Sequence, residues 1–294
     1  TGAARVTWDN VGVQYGLRSV ASGQITPLEF LKLNGVVGGW KNEPDMVQEG
    51  FPFLPGAPPS TFDPWSRRNQ VFSLDPLNAP APRNVGDIEA MRAVYRSGLV
   101  FMGDIDIPIL DVRPNLETVL DMHNSHQSLA SRKRMLNDDG DASNQSIWFI
   151  NGPGNVDITP YALDVIDQWM SNIAANPKAG VAANKPAEAE DRCFETDGTP
   201  IAAGDDVWAG ILDGAAPGAC TQRFPLYSTT RRVSGGPFEQ SIFKCQLMPV
   251  ETAISRGLYG VWTPSPAETA ILQNIFPQGV CDYSKPDMGL PPEW

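Results

Sequence analysis

Histidine is almost missing from this chain: there are two in 294 residues, at 123 and 126. Any reaction that needs an imidazole to move a proton near neutral pH must draw on that one short stretch. Common catalytic signatures are missing too. The sequence has no Walker loop, no Gly-x-Gly-x-x-Gly turn after a strand, no His-Glu-x-x-His helix and no Gly-x-Ser-x-Gly elbow. Gly152-Pro153-Gly154 reads as a plain turn, because proline stiffens it and no third glycine opens a helix. Asn137, Asp139, Asp141 and Ser143 alternate as calcium ligands do, but the glycine has the wrong offset and no bidentate Glu follows. The loop reads as solvated, so neither a metal nor a cofactor is expected.

Positive charge is also scarce. Lys and Arg number 22 against 34 Asp and Glu, a balance of −12. Such a surface repels phosphate backbones and anionic headgroups, which argues against nucleic acid as a partner. No uninterrupted apolar run approaches the ~18 residues of a membrane helix, so no membrane span is expected. Thr1-Gly2-Ala3-Ala4-Arg5 does not read as a leader. With 27 prolines, 27 glycines and 19 % charged residues, the composition fits a folded, loop-rich chain.

The four cysteines, 193, 220, 245 and 281, all fall in the last 102 residues and fit no Cys-x-x-Cys pattern. An even count in a Pro-rich region suggests two disulfides and an oxidising compartment, hence an extracellular or periplasmic location. Three pairings are open, and the sequential one, 193 with 220 and 245 with 281, is the working guess. Four buried thiols in a cytosolic protein are the alternative.

Thr26-Pro27-Leu28-Glu29 and Ser265-Pro266-Ala267-Glu268 are capping boxes with proline at the first helical position. They predict helices running to about Gly35 and through Phe276. Asp87 opens a third helix ending near Gly98, and Thr159-Pro160 a fourth that carries Leu163, Ile166, Trp169 and Ile173. Ile105–Val112 and Ser146–Ile150 read as buried strands, with a helix from about Met122 to Leu136 between them. Strand, helix, strand, helix over 105–173 predicts a parallel α/β unit. Residues 41–86, with nine prolines, read as an ordered irregular excursion. Composition divides the chain into 1–180 and a Pro-rich, Cys-containing region 181–294.

A hydrolytic triad needs an imidazole and a carboxylate to fix its tautomer. Around His123 and His126 the carboxylates on offer are Glu117, Asp121 and Asp111, the last at the expected carboxyl end of its strand, where ligands of open α/β sheets gather. The bland readings are a packing role for His126, on one helix face with Met122 and Leu129, and a surface or capping role for His123.

Several stretches together resemble a large, secreted bacterial family of unknown function that is itself similar to tannase- and feruloyl-esterase-like α/β-hydrolases. They are Val11-Gly12-Val13-Gln14-Tyr15-Gly16-Leu17, Ile107-Pro108-Ile109-Leu110-Asp111-Val112-Arg113, Asp121-Met122-His123, Asn144-Gln145-Ser146-Ile147-Trp148, Phe243-Lys244-Cys245-Gln246-Leu247-Met248-Pro249 and Phe276-Pro277-Gln278-Gly279-Val280-Cys281-Asp282-Tyr283. The resemblance implies that this chain is the C-terminal half of a precursor whose N-terminal half carries the nucleophilic serine. It implies that 105–112 and 146–150 are the last two strands of a hydrolase sheet, and that about 18–98 is a lid insertion. It places Glu117 in the slot of the triad acid. The base would follow the last strand, but Asn151-Gly152-Pro153-Gly154-Asn155 holds no histidine. Either His123 reaches the serine from the preceding segment, or the base lies upstream, or the site is degenerate.

Three functions compete on this reading. The first is the C-terminal portion of a secreted serine esterase acting on small-molecule or polymeric esters, with His123 as base and Glu117 orienting it. The second is an inert binding or structural module whose eight tryptophans build an aromatic surface. The third is a hydrolase that uses Thr1 as an N-terminal nucleophile.

Overall fold

The computed structural model describes residues 5–63, 66–118, 123–152 and 156–294. By internal contact the chain falls into two compact units, one made of residues 1–100 and 229–294 and the other of 101–228. Composition alone places a single divide after 180; contact places the divides after Val100 and Ser228.

The first unit begins with α1 (Leu17–Ala21) and α2 (Pro27–Val36). The Thr26 hydroxyl accepts the Glu29 N–H while the Glu29 carboxylate accepts the Thr26 N–H, the reciprocal box that the sequence predicts. Next come β1 (Val37–Trp40) and β2 (Gln70–Phe72), an antiparallel pair whose second strand lies within the 41–86 stretch read as irregular. α3 (Ile88–Arg96) follows, capped by the Asp87 carboxylate, which accepts the Ala90 N–H.

The second unit is built on β3 (Ile109–Asn115), α4 (His126–Asp138), β4 (Gln145–Asn151), α5 (Thr159–Ala175), α6 (Gly180–Ala183), β5 (Arg192–Phe194), β6 (Pro200–Ala203) and α7 (Ala219–Arg223). The strands lie in the order β3-β4-β5-β6; β3, β4 and β5 are parallel, and β6 is antiparallel to β5. The mixed α/β character expected from the sequence is present here. β3 starts four residues later than the apolar run predicts and continues through Arg113 and Pro114. A proline is tolerated because β3 lies at the end of the sheet, where one side of the backbone has no ladder to feed.

Alternation along the strands builds two layers. Leu110, Val112, Trp148, Ile150 and Phe194 face α5, which buries Ala162, Val165 and Trp169 against them. On the other face Phe149 meets Trp208, with ring centroids 4.5 Å apart, and Phe224 at 6.4 Å. Cys193 of β5 is bonded to Cys220 of α7. α4 is tied to the sheet by Arg132, whose guanidinium grips both oxygens of Asp191 at 2.5 and 2.8 Å. Asp191 also accepts the Ile147 N–H at 2.8 Å.

The rest of the first unit is α8 (Thr230–Val233), β7 (Gln246–Met248), α9 (Val250–Ser255), α10 (Pro266–Ile275) and β8 (Val280–Asp282), with β7 and β8 antiparallel. α10 carries the second reciprocal capping box, Ser265 with Glu268. One core joins both ends of the sequence: Leu17, Val20, Phe30 and Leu31 pack with Met248, Tyr259, Trp262, Leu272, Ile275 and Val280. Cys245 and Cys281 are bonded beside Val13. Both disulfides follow the sequential pairing.

Candidate functional site

The carboxyl ends of parallel strands are where backbone geometry leaves a crevice for ligands. In the second unit that edge is polar. Asn115 of β3 stands in register with Asn151 of β4, and Glu195 follows β5. The Asn151 amide donates to Glu195 Oε2 at 3.2 Å, and Arg223 holds the same carboxylate with two bonds of 3.0 and 2.8 Å. Those bonds, Arg223 first, keep the Glu195 carboxyl below the usual glutamate range.

Just beyond β3 lies Glu117, only 4 % exposed. Its Oε1 accepts the Ser125 N–H at 2.7 Å and its Oε2 accepts the Ser125 hydroxyl at 3.2 Å. Ser125 is the residue before α4, and its side chain caps no helical N–H. A carboxylate bonded there is favoured by the positive end of the helix dipole. Glu117 therefore fastens the turn between the two histidines to the end of β3. His123, two residues before Ser125, is exposed. His126, one residue after it, is 1 % exposed and opens α4, in which Leu129 is also buried. Asp121 and Met122 lie outside the described residues, as do Thr1 and residues 153–155 of the loop after β4.

Asp111 is not at a strand end. Because β3 runs to Asn115, Asp111 sits inside the ladder opposite Ile147, ~13 Å short of the carboxyl end at about 3.3 Å per residue. It shares the α4 face of the sheet with Arg113, which donates to the Ser128 hydroxyl at 3.1 Å. The structure thus brings Glu117 onto the histidine turn and leaves Asp111 apart from it.

Ser125, Glu195 and Arg223 belong to this polar edge but carry no sequence signal of it. A serine before a helix reads as a cap, and Glu195 and Arg223 are 28 residues apart. Among the described residues no group of three or more His, Cys, Asp or Glu is placed to hold a metal ion. In the 137–143 loop the Asp141 carboxylate is turned onto Ser143, taking its N–H at 3.2 Å and its hydroxyl at 2.5 Å.

No helix of the described residues is long and apolar enough to cross a membrane. Comparison with curated proteins and with solved structures returns no match. A family model described as a tannase-like family of unknown function matches residues 1–292. The chain, in which an anchored Glu117 and two neighbouring histidines stand at the end of a parallel sheet, belongs to that tannase-like family.

Proposed function

We propose that this chain supplies the acid–base part of a serine ester hydrolase. Glu117 is a positioning residue that holds the 123–126 turn, and His123 takes the proton from the attacking serine and returns it to the leaving alcohol. The serine and the oxyanion donors come from another segment of the same precursor. The observation that carries this reading is the buried Glu117 carboxylate, bonded twice to Ser125 at the carboxyl end of an end-of-sheet parallel strand. Tannase-like family membership supports the esterase class, and two disulfides agree with an extracellular or periplasmic location.

The buried serines of the second unit favour a nucleophile from elsewhere. Ser125 and Ser128 are buried and engaged with Glu117 and Arg113, and the Ser146 hydroxyl is bonded to the Ala189 carbonyl. Of the tryptophans on which the aromatic-surface alternative relies, Trp148, Trp169, Trp208 and Trp262 are buried in the cores, whereas Trp40 and Trp294 are exposed.

The test is fluorophosphonate labelling of the protein purified from its source, followed by mapping of the labelled serine. The expected result is a label on a serine outside these 294 residues that disappears in His123→Ala. A label on a serine of this chain, or wild-type labelling and ester turnover in His123→Ala, overturns the proposal.

A further inference from the structure

The first unit holds a cleft of about 270 Å³ whose walls are mostly apolar, with Pro80, Pro82, Val85, Phe276 and Pro277 among them. Arg83 is the one charged residue in its lining. Its Nη2 donates to the Asn34 carbonyl at 2.9 Å, while its Nη1 is shut from solvent and has no acceptor. The guanidinium lies between two rings, 5.0 Å from the Tyr15 centroid and 5.6 Å from that of Phe276. Such stacking holds the charge without neutralising it.

A second arginine repeats the pattern. Arg231 gives Nη2 to the Asp9 backbone carbonyl and leaves Nη1 buried with no acceptor. The Asp9 carboxylate does not serve it, being paired with Lys244 and bonded to the Gly86 and Val11 N–H groups. Neither Arg83 nor Arg231 forms an ion pair among the described residues. Arg231 is close enough to disfavour the charge on Arg83. Burial first, and Arg231 in addition, push Arg83 down to about 10, with Tyr15 opposing. Beside them lies the buried Tyr283 hydroxyl, which interacts with Arg231. Two half-buried cations, neither in an ion pair among the described residues, sit together in a protein whose net charge is −12. Sequestered charge normally has its counter-charge next to it.

We infer that this cleft is a binding site for a small monocarboxylate with an apolar body, its carboxylate held by the Arg83 guanidinium and its body lying between Phe276 and the prolines. With Nη2 given to Asn34, the guanidinium offers a carboxylate one charge-assisted bond, which a small turn of the side chain would present to the cleft. The apolar walls distinguish this ligand from inorganic phosphate, which has no body to bury. The site lies within the first unit and does not rest on the hydrolase reading.

Calorimetric titration of the whole protein with benzoate, benzamide and inorganic phosphate tests it. Benzoate is expected to bind saturably, with benzamide and phosphate at least roughly tenfold weaker, since a charge-assisted pair is worth a decade or more in affinity. Arg83→Gln should reduce benzoate affinity by a similar factor, and Arg83→Lys should recover part of it. Equal binding of benzamide, preference for phosphate, or no benzoate binding overturns the inference. If Arg83→Gln does not fold, a wild-type crystal soaked in 4-bromobenzoate decides it. A bromine peak in the cleft with the carboxylate on Arg83 sustains the inference, and a bromine elsewhere or none overturns it.

Discussion

Removing the Asp191 carboxylate would leave Arg132 charged, mostly buried and without its two strongest bonds, and would orphan the Ile147 N–H as well. Breaking such a pair from one side costs about 3–5 kcal/mol. Asp191→Ala is expected to lose that much in urea unfolding, far more than Glu195→Ala, whose partner Arg223 is exposed to solvent. Glu117 presents a different case. Glu117→Ala leaves the buried Ser125 N–H and hydroxyl without acceptors, a loss of about 1–3 kcal/mol. Glu117→Gln keeps an acceptor for the N–H and should lose less. If Glu117 only capped α4, ester turnover by the complete enzyme would follow folded protein in both variants. As a positioning residue for His123 it predicts that Glu117→Gln, although folded, lowers kcat with little change in KM.

At the scale of elements, the two reciprocal caps carry a pH dependence. Glu29 and Glu268 are held below the ordinary glutamate value by the cap N–H and then by the cap hydroxyl, both of which bond the charged form. A carboxyl lowered in the folded state adds stability above its ordinary value, near 4.5, and gives it up as the pH falls through the folded value. Helix content followed by circular dichroism should therefore begin to fall below about pH 4.5, and Glu268→Gln should flatten part of that fall. Ser265→Ala should lower stability by about 1 kcal/mol at neutral pH. Gly279 makes the turn from α10 into β8 at φ +100°, and a Cβ there would meet the Met248 carbonyl oxygen. Gly279→Ala is expected to lose about 2 kcal/mol. These helices were legible because their start signals are complete within four residues. The third was legible from the Asp87 cap alone, and the fourth from Pro160 in its first turn, although no side chain caps it. β3 was misplaced because an apolar run favours 105–112, whereas the ladder to β4 selects 109–115 and tolerates Arg113 and Pro114 at the end of the sheet. α7, α8 and α9, of four to six residues, are too short to express a period. Glu117 could be named from its place after a strand, but its grip on Ser125 depends on a turn. Arg83, Tyr15, Arg231 and Tyr283 are scattered from residue 15 to 283, so only folding reveals their cluster.

Across the whole molecule the disulfides divide evenly, Cys193–Cys220 in the second unit and Cys245–Cys281 in the first. Loops of 27 and 36 residues correspond to about 3.5 and 4 kcal/mol of lost unfolded-state entropy. Replacing Cys193 and Cys220 by Ala should lower one thermal transition and spare the other, read by calorimetry, and the Cys245 and Cys281 pair should do the converse. The ancestry of the two units along the chain has a further consequence, for synthesis. The sheet around β4 is drawn from one unbroken segment and can close once residue 228 has left the ribosome. Phe30 and Leu31 have no such luck: their cover, Met248 to Val280, is translated only after the whole second unit. Until then α2 stays uncovered, so it is where a holding chaperone would find its grip, and Cys245–Cys281 can form only after both cysteines of Cys193–Cys220 have been made.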